Sequence, residues 1–221
     1  MAERKRYIEV KIPLLSSEMR VLGTHEDLNN KTIKLDLTRK LRGKGLTITF
    51  RILKNEKTLI GLPNRFELSK AYIRRMMRKR VDYVEDSFSA KCSDIEVKVK
   101  PLLITRKRVS RAVRKNLRNT SRKIITSKLK DRTFNDHCAE LLDGTFQKEL
   151  LIKLKKIYPL SFCDIRVFET KELGKIDISK IISKDSSRVK DIQEINEEDF
   201  SDSEEVETES VKEERDGEKN D

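Results

Sequence analysis

Val97-Lys98-Val99-Lys100-Pro101-Leu102-Leu103-Ile104-Thr105 is followed by Arg106-Lys107-Arg108-Val109-Ser110-Arg111-Ala112-Val113-Arg114-Lys115-Asn116-Leu117-Arg118. The sequence changes period here. Ile95, Val97 and Val99 alternate with Glu96, Lys98 and Lys100, the two-residue repeat of a strand with one buried face. After Pro101 the chain reads as helical, with Val109, Ala112, Val113, Leu117, Ile124 and Leu129 on one incomplete apolar face. The chain before the change is mainly strand. The chain after it is helical until one strand returns. That order predicts an α+β fold.

Upstream, Tyr7, Ile8, Val10 and Ile12 make a short β-like run stopped by Pro13. Ile33, Leu35 and Leu37 alternate with Lys34 and Asp36. Arg42-Gly43-Lys44-Gly45 reads as a turn, and Leu46–Leu53 alternates again through Ile48, Phe50 and Ile52. Asn55-Glu56-Lys57 turns the chain into Thr58–Leu62, which predicts a hairpin. Phe66, Leu68, Tyr72, Ile73, Met76 and Met77 mix spacings of three and four and predict a helix. Strand character returns over Val81–Lys91, with Cys92-Ser93-Asp94 as a turn. Downstream, Thr133 suits a helix N-cap for a short helix carrying Leu141 and Leu142 inward, broken at Asp143-Gly144. Phe146, Leu150, Leu151, Leu154 and Ile157 predict a third helix ending before Pro159, and Leu160–Phe168 the last strand.

The charge divides the chain. Residues 191–221 hold 15 acidic and 3 basic side chains, which leaves 47 basic against 23 acidic in residues 1–190, a net of +24 where the whole chain shows +12. Such a body is expected to seek a polyanion. Residues 1–173 read as the folded body, 174–190 as a linker and 191–221 as an acidic, disordered tail with too little apolar surface to offset its ordering entropy. The tail could keep a basic protein soluble, mask its basic surface or bind basic partners.

Val97–Lys130 carries thirteen Lys or Arg and no Asp or Glu. A solvated helix normally mixes signs, because opposite charges four apart support it. Here none can form, so the helix calls for an external anion. Arg106, Lys107, Arg108, Arg111, Arg114, Lys115, Arg118, Arg122 and Lys123 are the candidate RNA-binding residues, six of the nine being arginine, whose planar fork suits phosphate oxygens. Arg74, Arg75, Arg78, Lys79 and Arg80 form a second candidate patch. There is no zinc-finger spacing and no aromatic RNP-like motif, so the chemistry points to backbone binding with little base readout. Tyr72 and Tyr83 flank the second patch. Their rings are expected in the core with hydroxyls at the surface.

No catalytic, metal or cofactor site is expected. His25 reads as a surface histidine in a loop, and His137-Cys138 as a surface imidazole beside a core thiol. Asp82, Glu85 and Asp86 are the nearest acidic cluster, with ion pairing the expected role. Three cysteines without C-x-x-C spacing argue for a reducing compartment. With no apolar run long enough to span a membrane and no secretory h-region, the chain is expected in the cytosol.

Four segments, in order, resemble the archaeal and eukaryotic small-subunit ribosomal protein family S-three-Ae (equivalently S-one-e): Phe66–Arg80; Val97–Thr105; Arg122-Lys123-Ile124-Ile125 followed by Thr133-Phe134; and Ile157-Tyr158-Pro159-Leu160 followed by Val167. The resemblance spans roughly Lys5 to Leu173. It implies a β-barrel-like antiparallel or mixed sheet flanked by helices. It also implies a structural role in the cytoplasmic small ribosomal subunit, on the platform near the messenger RNA exit. The partners implied are ribosomal RNA and neighbouring small-subunit proteins, with messenger RNA and initiation factors nearby. The chain departs from the family where Cys92-Ser93-Asp94 replaces a glycine-containing turn, and where Ser161-Phe162 follows Pro159-Leu160 in place of arginine. The competing expectation is a nucleic-acid-binding protein or RNA-processing factor outside the ribosome.

Overall fold

The computed structural model describes residues 4–55 and 58–171. In chain order the elements are β1 (Arg6–Ile12), a 3-10 turn (Pro13–Leu15), β2 (Ser17–Gly23), α1 (His25–Leu28), β3 (Thr32–Asp36), β4 (Leu46–Asn55) and β5 (Thr58–Leu68). Next come α2 (Lys70–Met76), β6 (Tyr83–Glu85), β7 (Phe88–Lys91), β8 (Glu96–Thr105), α3 (Arg111–Asp131), α4 (Phe134–Asp143), α5 (Thr145–Lys155) and β9 (Leu160–Thr170). The α+β expectation holds. The nine strands of the described residues join one sheet along the path β2-β1-β5-β9-β8-β6, with β4 attached to β5, β3 to β4, and β7 to β8. The sheet is mixed, because β1 runs parallel to β5 while the other pairs are antiparallel. Residues 56 and 57 of the expected hairpin turn, the linker 174–190 and the tail 191–221 lie outside the described residues.

Two long strands organise the sheet, and each carries a proline where one edge changes partner. β5 holds β4 along one edge. On its other edge it meets β1 at Leu59 and Ile60, then β9 from Arg65 to Glu67. Pro63 falls in the gap. β8 holds β9 along one edge. On the other it meets β7 from Glu96 to Val99, then β6 from Leu102 to Ile104, with Pro101 between them. A proline cannot donate to a ladder, so it is tolerated where no partner asks for an N–H. Both positions also coincide with register shifts: Asn64 is skipped opposite β4, and Arg166 opposite Pro101. The strand that the sequence reading ends at Pro101 therefore continues to Thr105, and its Leu102, Leu103 and Ile104 are buried. A similar correction applies earlier: Phe66 and Leu68 belong to β5, paired with Ile48 and Leu46, and the helix is confined to Lys70–Met76. β2 was not anticipated by the periodicity. His25 begins the single turn of α1, where a loop was expected.

The core is aliphatic, as the composition implies, with a few rings at the sheet–helix contact. Val10, Leu28, Ile52 and Leu59 cluster at one end. Phe134 of α4 stacks on Phe168 of β9 at 5.4 Å, and Phe66 meets Phe168 edge-on. Thr133 accepts the Asp136 N–H as the predicted cap, and Gly144 ends α4 at φ +77°, a left-handed conformation that favours glycine. Asp94 adds a second acceptor at the start of α4, taking the Phe134 N–H at 3.1 Å, and Ser93 Oγ donates to Arg132 O. The Cys92-Ser93-Asp94 turn is thus a dock for the α3–α4 junction.

Cys92, Cys138 and Cys163 are free and buried. Burial pushes the Cys92 and Cys163 thiols up to about 12, and Cys138 well above the usual thiol range. His137 is buried beside Cys138, where a surface imidazole was expected, with its ring edge-on to Phe146. The thiolate is the reactive form. Native protein at pH 8 should therefore resist iodoacetamide, while urea-unfolded protein takes up three equivalents; rapid native alkylation would contradict the burial. The same shift has a stability consequence. The unfolded thiols ionise near pH 8.5 and the folded ones much later, so between those values the unfolded state loses protons first and stability falls as pH rises.

Candidate nucleic-acid interface

The basic segment is built as a corner followed by a helix. Thr105, the last residue of β8, donates its N–H to Asp82 O and accepts the Asp82 N–H on its hydroxyl, which also lies 2.7 Å from Lys107 O. The Asp82 carboxylate accepts the Val109 N–H at 2.9 Å. This ties the Arg106–Arg108 loop to the chain entering β6, with all three side chains exposed. Ser110 then caps α3 by accepting the Val113 N–H. Arg106, Lys107 and Arg108 accordingly precede the helix and do not ride on it, because the β8 ladder holds the backbone as far as Thr105.

α3 docks along Leu117, Ser121, Ile125 and Leu129, a strict four-residue stripe. Ser121 hides it from a hydropathy reading; its hydroxyl is satisfied by Arg118 O at 2.9 Å. Ala112, assigned to the apolar face from sequence, is exposed. The charge of the helix is divided along its length. Arg118 Nε donates to Glu85 O, and Arg122 forks onto Asp86 at 3.0 and 2.9 Å while lying over the Phe88 ring. Further on, Lys128 pairs with Glu140 and Glu149, and the Arg132 guanidinium that follows the helix with Glu140. The Lys128 hydrogen bond lowers the Glu149 carboxyl from its ordinary value. At the front, no carboxylate among the described residues pairs with Arg106, Lys107, Arg108, Arg111, Arg114 or Lys115, nor with Lys123 further along. All are exposed except Arg114, which is half-buried.

The second patch begins on α2, capped by Ser69, and runs into the turn before β6. Arg74, Arg75, Arg78, Lys79 and Arg80 are exposed, and Arg80 adopts φ +63°. Arg75 lies over the Tyr72 ring and donates to Gly43 O, while Tyr72 is half-buried edge-on to Phe162. Tyr83 departs from expectation: the residue is 57% exposed.

Two neighbouring grooves join the patches. One, about 750 Å³, runs between Arg118 and Arg122 of α3 and Arg65, Lys100 and Arg166 of the sheet. The other, about 320 Å³, lies between Lys70 and Arg74 of α2 and Tyr83 of β6. Glu85 and Arg166, paired at 3.0 Å, line both. Arg65 and Arg166 were missed from sequence because each is an isolated cation on a strand. Arg166 reaches the groove from the bulge opposite Pro101. The acidic cluster is dispersed: Asp82 accepts a backbone N–H, Glu85 pairs with Arg166 and Asp86 with Arg122. Among the described residues no group of three or more His, Cys, Asp or Glu could hold a metal ion, and no helix is long and apolar enough to cross a membrane.

A sequence profile of the Ribosomal S3Ae family matches residues 4–174, which takes in every strand and helix described. The chain belongs to this family. Among curated relatives, this S3Ae-family chain is similar to the small ribosomal subunit protein eS1 of Nanoarchaeum equitans, 27% identical over 179 residues, 75% of this chain and 88% of the relative. It is similar to the protein of the same name from Saccharolobus islandicus, 30% identical over 139 residues, 61% and 66% of the two chains. The Archaeoglobus fulgidus protein of that name is 28% identical over 106 residues, 48% and 50% of the two. The S3Ae family is one of ribosomal proteins, not of enzymes. Its match stops short of the acidic residues 191–221.

Proposed function

We propose that the chain is a structural constituent of the small ribosomal subunit that binds ribosomal RNA through its two basic patches. It sits on the platform near the messenger RNA exit, in the cytoplasm, against neighbouring small-subunit proteins and close to messenger RNA and initiation factors. Residues 1–173 act as the docking body, 174–190 as a linker and 191–221 as the acidic tail. One observation carries the RNA reading: the cations from Arg106 to Lys115, on a hydrogen-bonded corner and the first turns of α3, have no carboxylate partner among the described residues. An unneutralised array of this kind gains most from a polyanion, because each phosphate contact releases condensed counterions.

The test is sedimentation of the full chain with small subunits, paired with filter binding to small-subunit RNA across salt. If six to ten phosphates are contacted, affinity should fall roughly 10³–10⁵-fold between 50 and 200 mM salt. Recovery of the chain only in the RNA-free pool at moderate salt, or a flat salt profile, would refute the assignment.

A further inference from the structure

The smaller groove has a composition that phosphate binding alone does not need. α2 contributes Lys70, Ile73, Arg74 and Met77, whose spacing of three, four and seven places them along one helix face, the last at the helix C-cap. Opposite stands β6, where Val84 is buried. Alternation therefore turns Tyr83 and Glu85 outward together. Tyr83 is 57% exposed and Met77 39%, so an aromatic ring and a thioether face solvent between cations.

We infer that this groove is a subsite for one unpaired nucleotide of an RNA strand, its base stacked on the Tyr83 ring and its phosphate held by Lys70 and Arg74. Every base has a π-face and every nucleotide a phosphate, which matches a ring flanked by cations. The groove, of about 320 Å³, has room for a single nucleotide. Glu85 and Arg166 line both grooves, so a strand leaving the subsite meets Lys100, beside Arg65, which is paired with Glu67 and Glu169, and Arg118, which donates to Glu85 O. The inference rests on the RNA reading above, and adds to it a preference for an unpaired position.

The chain contains no tryptophan, so Tyr83→Trp places a single indole at the proposed stacking position while keeping a flat ring. The full-length variant is titrated with fluorescein-labelled RNA hairpins that differ only in having a single-stranded extension. Anisotropy reports total binding and indole emission reports the subsite. The extended hairpin should quench the indole, and the blunt hairpin should bind without quenching. In the otherwise native chain, Tyr83→Phe should bind the extended hairpin like the parent, and Tyr83→Ala should bind it about 5- to 150-fold more weakly, with little change on the blunt one. Binding without differential quenching would overturn the subsite and leave the RNA function standing. Equal losses on both hairpins for Tyr83→Ala would likewise overturn it, as a structural effect. Absence of all RNA binding at 50 mM salt would refute the function itself. Emission that ignores RNA and responds to RNA-free small-subunit proteins would give the patch to a protein partner instead.

Discussion

Lys44→Met should lower the stability of the folded body by about 3 kcal/mol. Lys44 lies in the turn between β3 and β4, and its Nζ is 2.7 Å from Asp164 Oδ2. The side chains are 20% and 6% exposed, so this is the most enclosed lysine–carboxylate pair among the described residues. Asp164 is held further by the Gln147 amide at 3.1 Å and the Ile165 N–H at 2.8 Å, and Gln147 also donates to Leu141 O. One carboxylate thereby joins the β3–β4 turn, α5 and β9. Methionine keeps the length and apolar stem of the lysine but removes the charge, leaving Asp164 desolvated with only neutral donors. Removing one partner of a buried pair is far more damaging than removing both. The double variant Lys44→Met/Asp164→Asn should therefore recover a substantial part of the loss. Urea denaturation of the four proteins gives the coupling directly. For a body of this size the single change corresponds to a fall in Tm of roughly 6–12 °C. A single variant within about 0.5 kcal/mol of the parent would show that the pair contributes nothing net.

How far such a network could be read from sequence depends on whether local pattern carried the information. Ile33 and Leu35, Ile48 to Ile52, and Val97 and Val99 alternate because each has one face on the core, and those strands formed as expected. Thr133 and Gly144 bracket α4 through cap chemistry that is local by nature. The misses are non-local. β2 alternates Glu18 and Arg20 with Met19 and Val21, but as far as Leu22 only between half-buried and exposed positions, so its hydropathy signature is short and weak and its pairing with β1 defines it. Pro101 looks like a terminator until the second edge partner of β8 is known. Ser121 interrupts the docking stripe of α3 chemically but not sterically. Lys44 in a glycine-rich turn looks like any surface lysine, and its partner is 120 residues away.

The basic patches were legible for the opposite reason, since charge density needs no tertiary information. Legibility stopped at which cations remain available. The sequence treats Arg106 to Lys123 as equivalent, whereas the fold neutralises Arg122 with Asp86 and steers Arg118 onto Glu85 O. Arg65 and Arg166, paired with Glu67, Glu169 and Glu85, and the exposed Tyr83 come together only through the tertiary contacts of β5, β6 and β9.

That division makes the second large prediction specific. Replacing Arg111, Arg114 and Lys115 together by alanine should flatten the dependence of log affinity on log salt by about 2.7, and weaken RNA binding at 0.1 M salt by roughly 500-fold, if each residue neutralises one phosphate. Alanine is the strongest helix former, and none of the three has a carboxylate partner among the described residues, so the body should unfold in urea as the parent does. Arg122→Ala is the internal comparison. Its guanidinium is already engaged by Asp86 and the Phe88 ring, so the slope should change by less than one contact, about 0.9. Both proteins are read by filter binding to small-subunit RNA between 50 and 300 mM salt. Equal effects for the triple and the single variant would mean that RNA displaces Asp86 and recruits the whole helix. An unchanged slope for the triple variant would remove the front of α3 from the interface. Either outcome separates the number of basic residues in the segment from the number that the fold leaves to meet phosphate.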